Sequence, residues 1–304
     1  MRKRKVLISS LLITCICSMF VIVGLNSAMS AGPQQVKMAL IGHRGASGDA
    51  PENTLESIKL AWQQGAAGAE CDIMLTKDEK IVLMHDDTTK RTTGGDADLM
   101  VADTEWDKLK TLDVGSFKGP QWKNVKIPLL SDVLTAIPEG KKLFIEIKSG
   151  DKNEGANRKI LTLLIDLLRQ NGIKGNKIVL ISFDHNILAD FKKLAPEFQA
   201  YIITAFVDWP GDWPYLKTSS DLDKYISFAK ANNIDGIDME NSNVITKEWV
   251  SRLHKSGIKS TIWSYEKDDT IENAKRFENI GIDYLTTNYP GNIKSQLERR
   301  RGQV

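Results

Sequence analysis

The chain has only three cysteines, and Cys15 and Cys17 both fall in an apolar N-terminal segment, which leaves Cys71 alone in the rest. One thiol cannot close an intramolecular disulfide, so the body of the protein must be held by its core. No basic stripe interleaved with aromatics is present, which argues against a nucleic-acid footprint. The formal net charge of +2 is no counter-argument, because Arg2, Lys3, Arg4 and Lys5 supply four positive charges without a neighbouring acid. Internal repeats and low-complexity tracts are absent. No Gly-rich dinucleotide fingerprint follows the first strand-like run, which counts against an open doubly wound sheet. Histidine is scarce too, with four residues in the chain.

The N-terminus has the form of an export signal. MRKRK precedes the uncharged apolar stretch Val6–Leu25, and the small residues of NSAMSA follow. Cleavage is expected after Ser30, where Ala28 and Ser30 give a small-x-small pattern. The stretch is also long enough to span a bilayer, so residues 1–31 read as a removed signal or, second, as an uncleaved anchor. The residues before Cys15 and Cys17 make a poor lipidation box. On either reading the rest is expected outside the cytoplasm, secreted or attached at the cell surface, with the leading cations on the inner side.

Hydrophobic residues make up 41% and charged residues 26% of 304 residues, enough for a sizeable core. From Met38 onward, β-rich runs alternate with amphipathic stretches. Strands are predicted over Met38–Gly42, Ala69–Leu75, Ile81–His85, Lys142–Ile147, Lys177–Ser182, Ala200–Thr204, Gly236–Met239, Lys259–Ser264 and Asp283–Thr287. Helices are predicted over Asn53–Gln64, Arg158–Asn171, Asn186–Leu194, Leu222–Asn232, Lys247–Lys255, Ile271–Ile280 and Asn292–Arg299. Seven or eight strand–helix units in this length suit a closed (β/α)₈ TIM barrel, one α/β domain over residues 36–304. Asp86–Ile137 breaks the rhythm and reads as a loop-rich insertion with one short helix near Thr104–Leu109.

Residues two apart in a strand share a face. Glu70 and Asp72 in GAECDIML therefore point one way, and Cys71, Ile73 and Leu75 the other. LFIEIK likewise separates Phe144, Glu146 and Lys148 from Leu143, Ile145 and Ile147. The apolar faces should meet the helices, so three carboxylates and a lysine should converge inside the barrel mouth. Clustered carboxylates repel one another and suit a hard divalent cation, Ca²⁺ or Mg²⁺, better than zinc. A plain ion-pair network with Lys148 is the competing interpretation. His43 and His85 each end a strand-like run, whereas His185 and His254 fall on helices. Arg44 offers a fixed fork suited to phosphate oxygens, and Gly45 and Gly48 let the backbone turn. Asn53-x-x-Glu56 fits a helix cap; Glu52 has no clear assignment. A divalent cation, two imidazoles and two cations of fixed position suit phosphodiester cleavage.

HRG with PENT at His43–Thr54, E-x-D at Glu70–Asp72 and HD at His85–Asp86 follow in order. After them come RTTGG…VADTEWDKLKTLDVGS, IPLLSDVL, FIEIK at Phe144–Lys148, SFDHNILADFKKLAP and the tryptophan of TIWSY. In these pieces the chain resembles the glycerophosphodiester phosphodiesterase family from about Leu40 to Pro290. The resemblance implies a TIM barrel that hydrolyses glycerophosphodiesters to an alcohol and glycerol 3-phosphate. It implies His43 and His85 as the acid–base pair, Glu70, Asp72 and Glu146 as holders of one divalent cation, and Arg44 and Lys148 as phosphate contacts. Which histidine is acid, and whether a glycerol hydroxyl or water attacks first, stay open. Where the family often has T-D-x-P, this chain reads Thr287-Asn288-Tyr289-Pro290, which keeps hydrogen bonding and loses a charge. Trp263 is expected at the mouth, against the glycerol carbons or as a core ring. The aromatic stretch FVDWPGDWPYL could wall the groove, touch a membrane or close the barrel top. The expected partner is a small glycerophosphodiester; lysophospholipid, phosphoinositide or teichoic-acid glycerophosphate units are alternatives, as is a surface protein that binds glycerophosphoryl groups without cleaving them. Oligomeric state is not legible.

Overall fold

The computed structural model describes residues 37–148, 154–206 and 215–301. The expected leader at 1–31 and residues 207–214 of the aromatic stretch after the fifth barrel strand lie outside the described residues. Strands β1 (Ala39–Gly42), β2 (Gly68–Leu75), β3 (Ile81–Leu83), β4 (Lys142–Ile147), β5 (Ile178–Ser182), β6 (Gln199–Thr204), β7 (Gly236–Glu240), β8 (Lys259–Trp263) and β9 (Tyr284–Thr287) alternate with helices. The helices are α1 (Leu55–Gln63), α2 (Trp106–Leu109), α3 (Leu130–Thr135), α4 (Glu154–Gln170), α5 (His185–Leu194), α6 (Ser219–Ala231), α7 (Lys247–Lys255), α8 (Ile271–Ile280) and α9 (Pro290–Arg301).

Eight parallel strands run in the order β1-β9-β8-β7-β6-β5-β4-β2, and pairing of β1 with β2 closes the ring. The expected (β/α)₈ barrel is therefore what forms. Its two faces separate as strand alternation requires. Cys71, Ile73, Leu143, Ile145 and Ile147 join the large apolar core under the helices. Ile41, Phe144, Val179, Ile181, Tyr201 and Ile203 fill the barrel interior.

Three local expectations need correction. The strand expected over Ile81–His85 is shorter and lies outside the barrel ring: β3 stops at Leu83 and pairs antiparallel with Ile73–Leu75 of β2. The reason is the shortness of β1, which pairs with β2 only at Gly68 and Ala69 and leaves the upper edge of β2 free. The insertion carries a second helix, α3, whose Leu130, Val133 and Leu134 are buried at helical spacing. Those three residues join the large apolar core, while Val82, Met84, Val101, Leu109, Val114 and Ile127 form a small core of their own. Finally, the cap of α1 is Thr54, not Asn53. Thr54 Oγ1 accepts from the Ser57 N–H and Ser57 Oγ from the Thr54 N–H, a reciprocal capping box.

Candidate active site

Asp72 and Glu146 are register partners on β2 and β4, and Glu70 lies two residues earlier on the same inward face. One carboxylate oxygen from each lies within 4.8 Å of the others, and all three side chains are buried. Lys148 Nζ stands 2.6 Å from Asp72 Oδ1 and 2.9 Å from Glu146 Oε1. It therefore serves two of the acids and not the third. Glu70 Oε2 accepts the Arg44 backbone N–H at 2.7 Å, while Glu70 Oε1 is buried with no hydrogen-bond partner among the described residues.

The charge balance follows from this. Burial, then Asp72 and Glu146, push the Glu70 carboxyl well above its ordinary range. Burial also raises Glu146, although Lys148 opposes it. Asp72 goes the other way: burial would raise it, but Lys148 and Arg44 together hold it below the usual carboxylate range. The three buried carboxylates have Lys148 and a share of Arg44, whose Nε is 3.4 Å from Asp72 Oδ2 but which also pairs with Glu52, so they are short of positive charge, and the orphaned Glu70 oxygen marks where it is missing. An all-oxygen donor set of this kind fits a hard divalent cation.

The loop after β1 aims the next groups. Arg44 takes a left-handed backbone (φ 50°), which turns its N–H onto Glu70 and its guanidinium onto Glu52 Oε1 at 2.9 Å. Gly45 follows at φ 83°, where a Cβ would lie 2.3 Å from the Ser57 carbonyl carbon; only glycine lets this loop sit on the start of α1. Asn53, also left-handed, clamps Asp72 by donating from Nδ2 at 2.8 Å and accepting the Asp72 N–H at 3.0 Å.

His43 Nδ1 lies 2.7 Å from Asn288 Oδ1, which also accepts from Ser47 Oγ at 2.9 Å. An amide oxygen only accepts, so the His43 proton sits on Nδ1 and Nε2 is left as a base facing the cavity. Burial, then Arg44, pulls the His43 pKa down to about 4. The contact put in doubt by the Asn288 departure is therefore present, without its charge.

His85 arrives by a different route. The antiparallel return of β3 brings Met84 N–H onto Asp72 O at 3.1 Å, so His85 reaches the carboxylates from the side. Its Nδ1 is 2.7 Å from Asp86 Oδ1. Asp86 is in turn gripped by Arg91 through Nε (2.7 Å) and Nη2 (2.9 Å), and Arg91 also donates to Glu52 at 2.6 and 2.8 Å. Glu52, ambiguous in sequence, thus ties Arg44 to Arg91 and both histidine loops to each other. Burial lowers the His85 pKa as well, with Asp72 and Asp86 opposing it.

These groups line one cavity of about 550 Å³ at the C-terminal mouth of the barrel, with His43, Arg44, Glu70, His85, Glu146, Lys148 and Trp263 on its wall. Trp263 donates from Nε1 to Thr204 O at 3.1 Å and meets Phe183 and Tyr265 edge to face. It is at once a packed rim residue and part of the cavity wall. His185 packs between Tyr225 and Phe228 in the helical layer. His254 pairs with Asp283 at 2.7 Å, just ahead of β9 at the other end of the barrel. Both stand apart from the cavity. Arg91, Ser47, Lys118, Glu266 and Asp238 also line it or brace it, and sequence reasoning missed them. Asp238 had a usable signal: Asp238 and Glu240 alternate on β7 just as Glu70 and Asp72 do on β2.

The description "Glycerophosphoryl diester phosphodiesterase family" matches residues 43–292. A glycerophosphodiester phosphodiesterase of Caldanaerobacter subterraneus subsp. tengcongensis is 37% identical over 259 residues, covering 84% of this chain and 96% of that protein. One from Bacillus altitudinis is 28% identical over 83% of this chain and 94% of its own length. Among solved structures, an Oleispira antarctica phosphodiesterase in complex with the product sn-glycerol-3-phosphate superposes with a TM-score of 0.72 at 28% identity, over 86% of this chain and 97% of that one. With its closed barrel, its acidic triad and a match across most of its length, the chain belongs to the glycerophosphodiester phosphodiesterase family.

Proposed function

We propose that this protein hydrolyses glycerophosphodiesters to an alcohol and sn-glycerol 3-phosphate, with His43 as general base and His85 as general acid. The observation that carries this is the asymmetry of the two imidazoles beside one acidic cluster, Arg44 and Lys148. His43 has a neutral amide behind it, and His85 has a carboxylate. A base must be free of its proton, and an uncharged amide holds one only weakly, against burial and Arg44, which pull the other way. An acid must keep its proton until the bond breaks, and Asp86 opposes the lowering of the His85 pKa that burial causes, a support His43 lacks.

In this mechanism Arg44 and Lys148 hold the phosphoryl oxygens. His43 Nε2 takes the proton of the attacking hydroxyl as its oxygen bonds to phosphorus. The bond from phosphorus to the alcohol oxygen breaks, and His85 Nε2 delivers its proton to that oxygen. The same pair serves water directly, or a glycerol hydroxyl whose cyclic phosphate is then opened by water with the roles reversed. Glu70, Asp72 and Glu146 would hold a divalent cation, Ca²⁺ or Mg²⁺, which when bound would offset phosphoryl charge. A binding protein would need the cations but not a proton-transfer pair, so retention of both histidines favours catalysis.

The test is release of glycerol 3-phosphate from glycerophosphocholine, glycerophosphoethanolamine and polymeric glycerophosphate by the purified protein with the cation present. Release equal to substrate consumed supports the assignment, and the relative rates rank the alcohols. No release from any of the three refutes it.

The histidine assignment makes a separate pH prediction. Asn288→Asp places a carboxylate against His43 Nδ1–H and stabilises the imidazolium, so the folded-state pKa of His43 rises. The base is then protonated at higher pH. The acid limb of kcat/KM should move up by roughly 1 unit or more, while the alkaline limb stays in place. Profiles of the two proteins from pH 4 to 9 check this.

A further inference from the structure

Opposite the carboxylates, Arg44 and Lys148, the side of the cavity built from β5 to β8 is largely apolar, with Ile181 and Ile203 at the floor and Phe183 and Trp263 nearer the rim. Asp238 interrupts it. Its side chain is buried, with the residue only 3% exposed, yet it lines the cavity, and Oδ1 has no hydrogen-bond partner among the described residues. Its neighbours do not satisfy it. Ile203 flanks it in register on β6, and Thr261 on β8 has a buried hydroxyl that is itself unpaired among the described residues. Below it, Gly236 gives its space to the Tyr201 ring, which closes the barrel interior and makes Asp238 the next inward position, at the floor. Nor does it belong to the metal-holding group, which consists of Glu70, Asp72 and Glu146.

A buried carboxyl oxygen without a partner is expensive to keep, and burial, then Glu146, pushes the Asp238 carboxyl well above its ordinary range. Such a group is expected where a ligand supplies the missing bond. The rim at Tyr265 and Lys118 is open to solvent and suits an alcohol that varies from substrate to substrate. The enclosed floor suits the part that all the substrates share.

We propose that Asp238 is a specificity-determining residue that hydrogen-bonds the glycerol hydroxyl farthest from the phosphate, so that the site reads a polyol instead of any phosphodiester. This rests on the proposed glycerophosphodiesterase activity. A substrate with carbon at that position would leave Asp238 unpaired and be rejected.

The experiment compares glycerophosphocholine with 2-hydroxypropyl phosphocholine, which keeps the hydroxyl next to the phosphorylated carbon and lacks the terminal one. Wild-type protein should prefer the glycerol compound by about 10- to 100-fold in kcat/KM. Asp238→Leu should remove most of that preference by losing rate on the glycerol compound while staying within a few-fold on the analogue. Asp238→Asn should retain part of it. Both variants should melt at or above the wild-type temperature, and calorimetric Ca²⁺ affinity should not change. Equal loss on both substrates, an intact preference in Asp238→Leu, a weakened Ca²⁺ affinity or a clear drop in melting temperature would each overturn the proposal. Wild-type protein that cleaves neither compound would instead refute the activity on which it rests, whereas equal cleavage of both would refute this inference alone.

Discussion

His43→Ala and His85→Ala should each lower kcat by roughly 10² to 10⁴ and leave the melting temperature within a few degrees of wild type. The small cost to folding follows from what each ring holds. His43 is half-buried and makes one side-chain hydrogen bond, to Asn288 Oδ1, which keeps the Ser47 hydroxyl as a donor when the ring is gone. His85 has a side chain about one-third exposed, and its partner Asp86 stays anchored by two bonds from Arg91. Neither deletion strands a buried polar atom, so neither belongs to the severe stability classes. The loss in rate has no such replacement, because among the described residues these are the histidines that line the cavity. The two variants should also differ from each other. A glycerol diester with a 4-nitrophenolate leaving group needs no protonation as its bond breaks, so it should recover most of the rate in His85→Ala and little in His43→Ala. Recovery in the other variant would exchange the acid and the base. Near-wild-type rates in both would remove the histidines from the chemistry. The double variant should lose less than the sum of the two in free energy, because a base and an acid that serve the two ends of one displacement are not independent.

Much of this site is legible in sequence because strand alternation is local. Glu70, Asp72 and Glu146 could be placed on one face from spacing alone, and the barrel puts β2 and β4 side by side in register. The features that needed coordinates depend on where separate loops meet. Arg91 lies in a turn-rich stretch that shows only that it is a loop; its grip on both Asp86 and Glu52 arises from the antiparallel return of β3. How β3 pairs was not legible, because a short apolar run looks the same whether it pairs parallel or antiparallel. Asn53 looked like a cap because Asn, Thr and Ser all cap helices. With Thr54 taking that part, Asn53 is free to clamp Asp72, and its left-handed backbone gives the assignment away only once φ is known. Asn288 appeared as a lost charge, and its preserved bond to His43 spans 245 positions of sequence.

Glu70→Gln should abolish most of the activity, yet make the metal-free protein more stable at neutral pH. The sign follows from the Glu70 carboxyl, whose folded-state pKa is raised by burial and by Asp72 and Glu146. Below the ordinary glutamate range the group is protonated in both states and costs nothing. As pH rises through that range, the unfolded chain releases the proton first, so stability falls until the folded pKa is passed. Glutamine never ionises, and its amide oxygen can still accept the Arg44 N–H. The two metal-free proteins should therefore melt together near pH 4 and diverge at pH 7 with the variant higher. Added Ca²⁺ or Mg²⁺ should reverse the order. At about 100 times its dissociation constant a cation stabilises the folded wild type by about 2.7 kcal/mol, or roughly 5–10 °C for a chain of this size. The variant, one carboxylate short, should respond weakly. Activity should follow the same ligand: a chelator should silence the wild-type enzyme, and excess cation should restore it. A wild-type melting curve indifferent to both cations, or a variant less stable than wild type without metal, would mean that Lys148 alone balances the cluster and that the three acids are an ion-pair network.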